Sequence, residues 1–266
     1  MIKVCVAGVT GWTGSAVAKS ILESKEFQLV SAVSRKSAGM DVGEALGLQK
    51  LGVAIQPNIE KALSVPVDVL IEYTHAGSVK EHVFCALKKK IRVVVGASGL
   101  TAADFEEIDR ICKETDLGVI AAGNFSLTAA LAKHCSLLAA RYLPTWEIID
   151  YAEANKPDAP SGTTREMAEQ MSKIKPNELE LSVDSTIGVK EARGASIAGA
   201  QLHSVRLPGY KFSFETLFGL PDERLTIRHD AGTGAMPYVQ GTLLATRKVI
   251  YTTGLIRGLD KLLFED

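Results

Sequence analysis

Two stretches carry residue types whose spacing suits chemistry on anions. The first is Met1–Gly14, MIKVCVAGVTGWTG, in which Gly8, Gly11 and Gly14 recur every third residue. Ile2, Val4 and Val6 alternate with smaller or polar residues, as in a short buried strand, and Ser15–Leu22 suits a helix after it. In such a strand–turn–helix unit the first glycine permits a sharp turn. The second lets a pyrophosphate approach the backbone, and the third lets the helix pack on the strand. Free N–H groups and partial positive charge at the helix start receive the phosphates. Thr10, Trp12 and Thr13 belong to the same loop. The second stretch is Lys156–Thr163, KPDAPSGT. Pro157 and Pro160 stiffen it, and Ser161, Gly162 and Thr163 open a helix. Lys156 adds a cation a few residues away, so the segment can grip one or two carboxylates.

The end of the next strand bears on which nucleotide binds. NAD-selective domains place an acidic residue about 20 positions after the glycines, where it holds the ribose hydroxyls. This chain has Ser34, Arg35 and Lys36 there. A hydroxyl and two cations suit a 2′-phosphate, and no carboxylate repels it. NADP(H) is therefore the favoured cofactor, with NAD(H) as the alternative.

The elements that position these residues alternate through the first half. Strands are expected over Gln28–Ser34, Val67–Tyr73, Arg92–Val95 and Leu117–Ala121. Helices are expected over Ser78–Lys88 and Ala102–Glu114, the latter capped by Thr101. Such alternation makes a parallel sheet covered on both faces, with ligands at the carboxyl ends of its strands. The loops beginning at Gly8, Ser34, Tyr73, Gly96 and Ala122 are then the ones to carry a site. Beyond residue 124 the character changes. Ser126–Leu143 and Ser161–Ile174 read as helices. Trp146–Tyr151, Glu178–Val183, Ser196–Val205 and Leu225–His229 alternate like an antiparallel sheet, and Gln240–Leu263 reads as a helical return to the first domain. The expected fold is α/β: a Rossmann nucleotide-binding domain over residues 1–124, completed by 239–266, with an α+β substrate and oligomerisation domain over 125–238.

Composition narrows the function. The chain has 266 residues, 46% hydrophobic and 23% charged, which is the profile of a soluble globular protein. A net charge of −1 gives no electrostatic case for nucleic acid or an anionic membrane. No apolar run approaches the roughly 20 residues that span a bilayer. The N-terminus enters a strand directly, without a signal-peptide pattern. Cys5, Cys85, Cys112 and Cys135 form no C-x-x-C pair and read as small residues of a reducing compartment, so a cytoplasmic location is expected. The five histidines show no ligand spacing, and no metal is expected.

With these residues in view, the chain resembles the dihydrodipicolinate reductase family, the 4-hydroxy-tetrahydrodipicolinate reductases of lysine biosynthesis. Lys156–Thr163 matches each fixed position of the family segment K-x-D-A-P-S-G-T. Gly8–Gly14, Tyr73-Thr74, Gly96-Ala97-Ser98-Gly99-Leu100, Gly123-Asn124-Phe125-Ser126 and the His229 strand match in order. The resemblance implies a Rossmann domain followed by a substrate and oligomerisation domain, a homo-oligomer (dimer or, more usually, tetramer), and hydride transfer to a cyclic imine-type carboxylate. It implies that Lys156, Ser161, Gly162 and Thr163 bind substrate. Tyr73, Thr74, Gly96, Ala97 and Ser98 would lie near the nicotinamide, with Ala122, Gly123, Asn124 and Phe125 on the opposite wall.

The departures are as specific. The family places a histidine pair before the lysine, H-H-x-x-K, and the first is the proposed general acid. Here Ala152 and Glu153 stand in those two places. The family's H-K-A-x-S-R becomes His229-Asp230-Ala231-Gly232-Thr233-Gly234, which replaces two cations by Asp230 and Gly234. Pro208–Phe218 also differs from the family's G-E-H-T pattern. The hydride machinery reads as intact and the substrate pocket as rebuilt, so weak turnover of the family substrate is expected. Glu153, His75, Tyr151 or water remain as sources of the proton. Lys156 is the expected anchor for substrate. An NADP-dependent imine reductase or amino- or keto-acid dehydrogenase for another substrate is one alternative. A nucleotide-binding sensor without catalysis is another, against which the intact Lys156–Thr163 segment argues.

Overall fold

The computed structural model describes residues 1–264. Strand β1 (Ile2–Ala7) is buried from Val4 onward and leads into α1 (Trp12–Glu23). There follow β2 (Phe27–Val33), α2 (Val42–Ala45), β3 (Ile55–Gln56), α3 (Ile59–Ala62), β4 (Val69–Glu72), α4 (Val79–Lys88), β5 (Arg92–Val95), α5 (Ala102–Thr115) and β6 (Gly118–Ala121). Next come α6 (Leu127–Ala140), β7 (Thr145–Ala152), α7 (Gly162–Ile174), β8 (Ala195–Ile197), β9 (Ala200–Arg206), β10 (Phe212–Leu220) and β11 (Glu223–Ala231). The last elements are α8 (Met236–Lys248), β12 (Gly254–Arg257) and α9 (Leu259–Phe264). The chain divides into two compact units. One is Met1–Leu127 with the segment from Ala235 onward, and the other is Thr128–Gly234.

The first unit holds a seven-stranded sheet in the order β12-β6-β5-β4-β1-β2-β3, with every pairing parallel. The order reverses between β1 and β4, which is where parallel open sheets bind ligands, beyond the carboxyl ends of the strands. Its strands are short apolar runs because both faces are covered. Leu70, Val83, Val93, Ile108, Cys112 and Val119 belong to one buried cluster. Helix α1 starts earlier than the expected Ser15. Gly11 is extended (φ −75°, ψ 169°) and ends the turn itself, so Gly14 falls within the first helical turn.

The expected helix over Gln240–Leu263 is corrected. Helix α8 stops at Lys248, and β12 then pairs in parallel with β6 before α9. Gly254, at φ +92°, interrupts the helical path, and Leu255 and Ile256 gain ladder hydrogen bonds that a helix would not give them. The last two residues of the expected 239–266 segment lie outside the described residues.

The second unit is built on a five-stranded sheet in the order β11-β10-β7-β9-β8. It is mixed rather than antiparallel throughout, because β7 and β9 run parallel. Helix α7 and β8 lie between them in sequence, and a crossover of that length brings the chain back in the same direction. The alternation of β7 puts Trp146, Ile148, Asp150 and Ala152 on its buried face. Trp146, Ile148, Met167, Met171, Phe214 and Phe218 form the core. Strand β10 was not anticipated, although Phe212, Phe214, Thr216 and Phe218 alternate along it and it pairs with both β7 and β11. Glu178–Val183 is not a strand. It is irregular chain tied to the sheet margin by Glu178 N–H donating to Pro144 O, and Val183–Ser185 forms a short 3-10 turn. Ser196–Val205 is two strands, since Ala198 and Gly199 both take positive φ and make a tight hairpin.

Helix α5 carries the capping box foreseen at Thr101. Thr101 Oγ1 accepts from Asp104 N–H, while Asp104 accepts from Thr101 N–H and pairs with Lys80 at 2.7 Å. Lys80 and the Thr101 groups hold the Asp104 carboxyl down at about 2, below the usual carboxylate range. A depressed carboxyl contributes stability that is complete above its unfolded value and is lost as pH falls through the folded value. Thr101→Ala should cost about 1 kcal/mol in urea unfolding near neutral pH. Asp104→Asn should destabilise at pH 6, and its difference from the parent should vanish on acidification toward pH 2.

Candidate functional site

In the first unit, three glycines bring separate backbones into contact. Gly8 sits at φ +82°, and a Cβ there would lie 2.5 Å from Tyr73 O. A Cβ on Gly14 would lie 2.1 Å from Gly8 O, and Gly11 N–H donates to Gly8 O at 2.8 Å. A Cβ on Gly96 would meet the Tyr73 ring at 2.1 Å. The N-terminus of α1 is therefore set directly against the turn after β1, as a pyrophosphate site requires, and a dinucleotide fits this cradle. Trp12 is half exposed and packs edge-on against Tyr238 at 5.5 Å, and Thr13 is partly exposed beside it.

Beyond β2, Thr10 Oγ1 and Ser34 Oγ lie 2.7 Å apart. Arg35 and Lys36 are exposed. Arg35 Nη2 lies 2.6 Å from His75 Nε2. His75 was expected near the nicotinamide as a proton source; in the structure its ring faces Arg35, just beyond β2. Beneath it, Glu72 is fully buried, accepts from Thr74 N–H and Thr74 Oγ1, and meets His82 Nδ1 at 2.7 Å. Sequence reading missed both Glu72 and His82. The signal was a carboxylate at the end of an otherwise apolar strand.

Two expected cofactor contacts turn inward. Tyr73 bonds Thr242 Oγ1 at 2.6 Å, and burial pushes its phenol above the usual tyrosine range. Phe125 is buried and packs edge-on against Tyr73 at 6.1 Å. Phe125 is left with little but its backbone for a ligand, while Tyr73 is only part-buried. Ser98 and Gly123 are exposed, Ala97 is partly so, and Ala122 is buried. Asn124 closes the turn at the end of β6 by accepting from Ser126 N–H at 2.8 Å.

In the second unit, Asp150 organises the lysine segment. It is fully buried and accepts from Ser161 N–H at 2.9 Å and Ser161 Oγ at 2.6 Å. Arg206 Nη2 donates to Asp150 Oδ2 at 2.7 Å and to Asp158 O at 2.7 Å. One charge pair thus ties Asp158 and Ser161, in the later half of the loop, to the sheet. Ser161 was expected to offer its hydroxyl to substrate, and the structure spends that hydroxyl on Asp150. Gly162 and Thr163 are at least partly exposed at the start of α7, where the first N–H groups have no partner within the helix. Lys156 Nζ bonds Asp158, which holds that carboxyl below the usual range.

The candidate proton donors of this unit are otherwise engaged. Ala152 is fully buried. Glu153 pairs with Lys211 at 2.9 Å and not with Lys156. Tyr151 donates to Glu215 at 3.1 Å, and burial and that carboxylate raise its phenol. Asp230 is clasped by Arg228 through Nε at 2.7 Å and Nη2 at 3.0 Å. His229 is buried between Phe212 and Phe214, and burial lowers its affinity for a proton. Burial also pushes the Cys5 thiol up to about 12 and Cys112 up to about 11, which leaves both inert as nucleophiles. Among the described residues, no group of three or more His, Cys, Asp or Glu side chains is placed to hold a metal, and no helix is long and apolar enough to cross a membrane.

Comparison with known proteins agrees along the whole chain. Residues 2–125 match the family described as "Dihydrodipicolinate reductase, N-terminus", and residues 125–263 match "Dihydrodipicolinate reductase, C-terminus". A 4-hydroxy-tetrahydrodipicolinate reductase of Carboxydothermus hydrogenoformans is 33% identical over 265 residues, covering 99% of this chain and 100% of the relative. One from Halalkalibacterium halodurans is 36% identical, again covering 99% and 100%. The solved structure of a dipicolinate-bound dihydrodipicolinate reductase from Paenisporosarcina sp. TG-14 is 29% identical, with a TM-score of 0.88 over 98% of this chain and 99% of that one. With the glycine cradle in one unit and the intact lysine segment in the other, the chain belongs to the dihydrodipicolinate reductase family, a family of pyridine-nucleotide oxidoreductases.

Proposed function

We propose that the chain reduces the C=N bond of a cyclic imine carboxylate, 4-hydroxy-tetrahydrodipicolinate of lysine biosynthesis, with NADPH favoured over NADH. The observation that carries this reading is the Lys156–Thr163 segment, anchored by Asp150 and Arg206 so that Lys156 and the Gly162 and Thr163 N–H groups belong to one stiffened turn. The reading includes a cytoplasmic homo-oligomer, a dimer or tetramer.

When bound, the dinucleotide supplies the hydride. Gly8, Gly11 and Gly14 hold its pyrophosphate at the start of α1. Thr10, Ser34 and Arg35 receive the 2′-phosphate, and the backbones of Gly96, Ala97, Ser98, Ala122, Gly123 and Asn124 border the nicotinamide. Lys156 exchanges Asp158 for a substrate carboxylate, and the α7 N–H groups donate to the same anion. The proton is a separate question. Ala152 has none to give, Glu153 is held by Lys211, Tyr151 by Glu215 and His75 by Arg35. An imine that is already protonated, or water, meets the need without a side-chain acid.

A second reading, an imine or amino- or keto-acid substrate other than the lysine-pathway compound, draws on Asp230. Its strand presents a carboxylate clasped by Arg228 where the family has a lysine.

Lys156→Ala should raise KM or lower kcat/KM steeply in steady-state assays, while calorimetric NADPH binding stays unchanged. Normal turnover by that variant would remove Lys156 from the site. With substrate generated in place and NADPH oxidation followed, kcat/KM should fall about 100-fold or more below that of a member carrying the histidine pair. A value near that member's would show that the missing acid is fully replaced. Glu153→Gln should change kcat by far less than the ~100-fold that loss of a general acid costs. A drop of that size would return Glu153 to the chemistry.

A further inference from the structure

The two contacts of the His75 ring do not both balance as hydrogen bonds. Arg35 Nη2 lies 2.6 Å from His75 Nε2, and a guanidinium only donates. On the other side of the ring, Gly77 N–H donates to Nδ1 at 3.1 Å. A neutral imidazole has one lone pair on its two nitrogens, so it cannot accept from both. A single ring proton serves the two contacts in turn: on Nδ1 it leaves Nε2 to accept from Arg35, and on Nε2 it leaves Nδ1 to accept from Gly77 and makes Nε2 a donor beside the guanidinium. A doubly protonated ring makes the surplus of donors larger. Ser78 Oγ is the nearby hydroxyl, at a longer 3.3 Å from Nε2.

In the second arrangement two donors lie side by side with no acceptor of their own, and an oxyanion bound outside the pair supplies one. The surroundings agree. Thr10 Oγ1 and Ser34 Oγ meet at 2.7 Å one residue before Arg35, Lys36 follows it, and His75, Arg35 and Lys36 are all exposed. No carboxylate precedes Arg35 at the end of β2.

We infer that His75 is a second ligand for the 2′-phosphate of NADP(H), donating from Nε2 beside Arg35, and that this pair sets the preference for NADPH over NADH. The inference rests on the proposed use of NADPH. It makes His75 a specificity residue on the β4–α4 loop, remote in sequence from the β2 loop that carries Arg35.

Calorimetric titration of the full chain with NADPH and NADH tests it without turnover, and 2′-phospho-AMP against AMP repeats the comparison without the nicotinamide. His75→Ala should weaken NADPH about tenfold or more, the size of one lost charge-assisted hydrogen bond, and leave NADH unchanged. Arg35→Ala should do the same, and the double variant should lose less than the two single losses combined, because each residue holds the other's phosphate contact in place. His75→Gln, whose amide N–H reaches the place of Nε2, should restore much of the preference. Equal losses for both dinucleotides would reduce His75 to a structural residue and overturn the inference. Unchanged NADPH binding with a fallen kcat would overturn it too, by returning His75 to proton transfer. Failure of the parent chain to bind either dinucleotide would instead strike the proposed function.

Discussion

The turn after β1 has no room for a side chain on either of two sides. At Gly8 the neighbouring surface is the Tyr73 carbonyl, and at Gly14 it is the Gly8 carbonyl. The contact continues through Tyr73, whose ring fills the space a Cβ on Gly96 would need and whose hydroxyl bonds Thr242 on α8. Four elements of the first unit are thereby registered against one another, through backbone and the Tyr73 ring: α1, the β1 turn, and the loops after β4 and β5. That registration aims the α1 N–H groups, leaves loop backbone at the carboxyl edge of the sheet, and accounts for the Tyr73 and Phe125 rings turning toward the interior.

The second unit is governed by charge pairing. Lys156 is set against Asp158, Arg206 against Asp150, Lys211 against Glu153, and Arg228 against Asp230 and Glu215. These pairs differ in kind. Asp150 and Arg206 are withdrawn from water, and breaking a buried pair of this kind leaves an uncompensated charge costing about 3–5 kcal/mol. Lys156 and Asp158 are substantially exposed, and exposed pairs are worth about 0–1 kcal/mol. The buried pair holds the loop, and the weak pair can be exchanged for a ligand at little cost. The same logic separates Glu72, fixed beneath Thr74, from the exposed Arg35 and His75 above it.

The proton follows from this distribution. Each side chain near the position of the family's acid is occupied: a methyl group in the core at Ala152, a carboxylate in an ion pair at Glu153, a phenol bonded on the opposite face of β7 at Tyr151. Those partners leave fixed charge and orientation, not an unengaged acid, at that position.

Sequence alone determined what depends on neighbours along the chain. The glycine spacing, the Thr101 cap, the short apolar strands of a doubly covered sheet and the stiff lysine segment all arise from local sterics and periodicity. They were enough to give the Rossmann class, and the resemblance of the motifs gave the family. Tertiary structure decided whatever depends on partners far away in the chain. The side on which Tyr151 and Ala152 fall was legible from the alternation of β7, but that Glu153 pairs with Lys211, that Ser161 spends its hydroxyl on Asp150, and that His75 turns to Arg35 were not. Strand β12 joined the sheet because β6 offered an open edge, and β10 was hidden by its unfamiliar segment although its own alternation was plain. Hydrogen bonds and ion pairs form between groups that folding brings within about 3 Å, and spacing in the sequence carries no record of that distance.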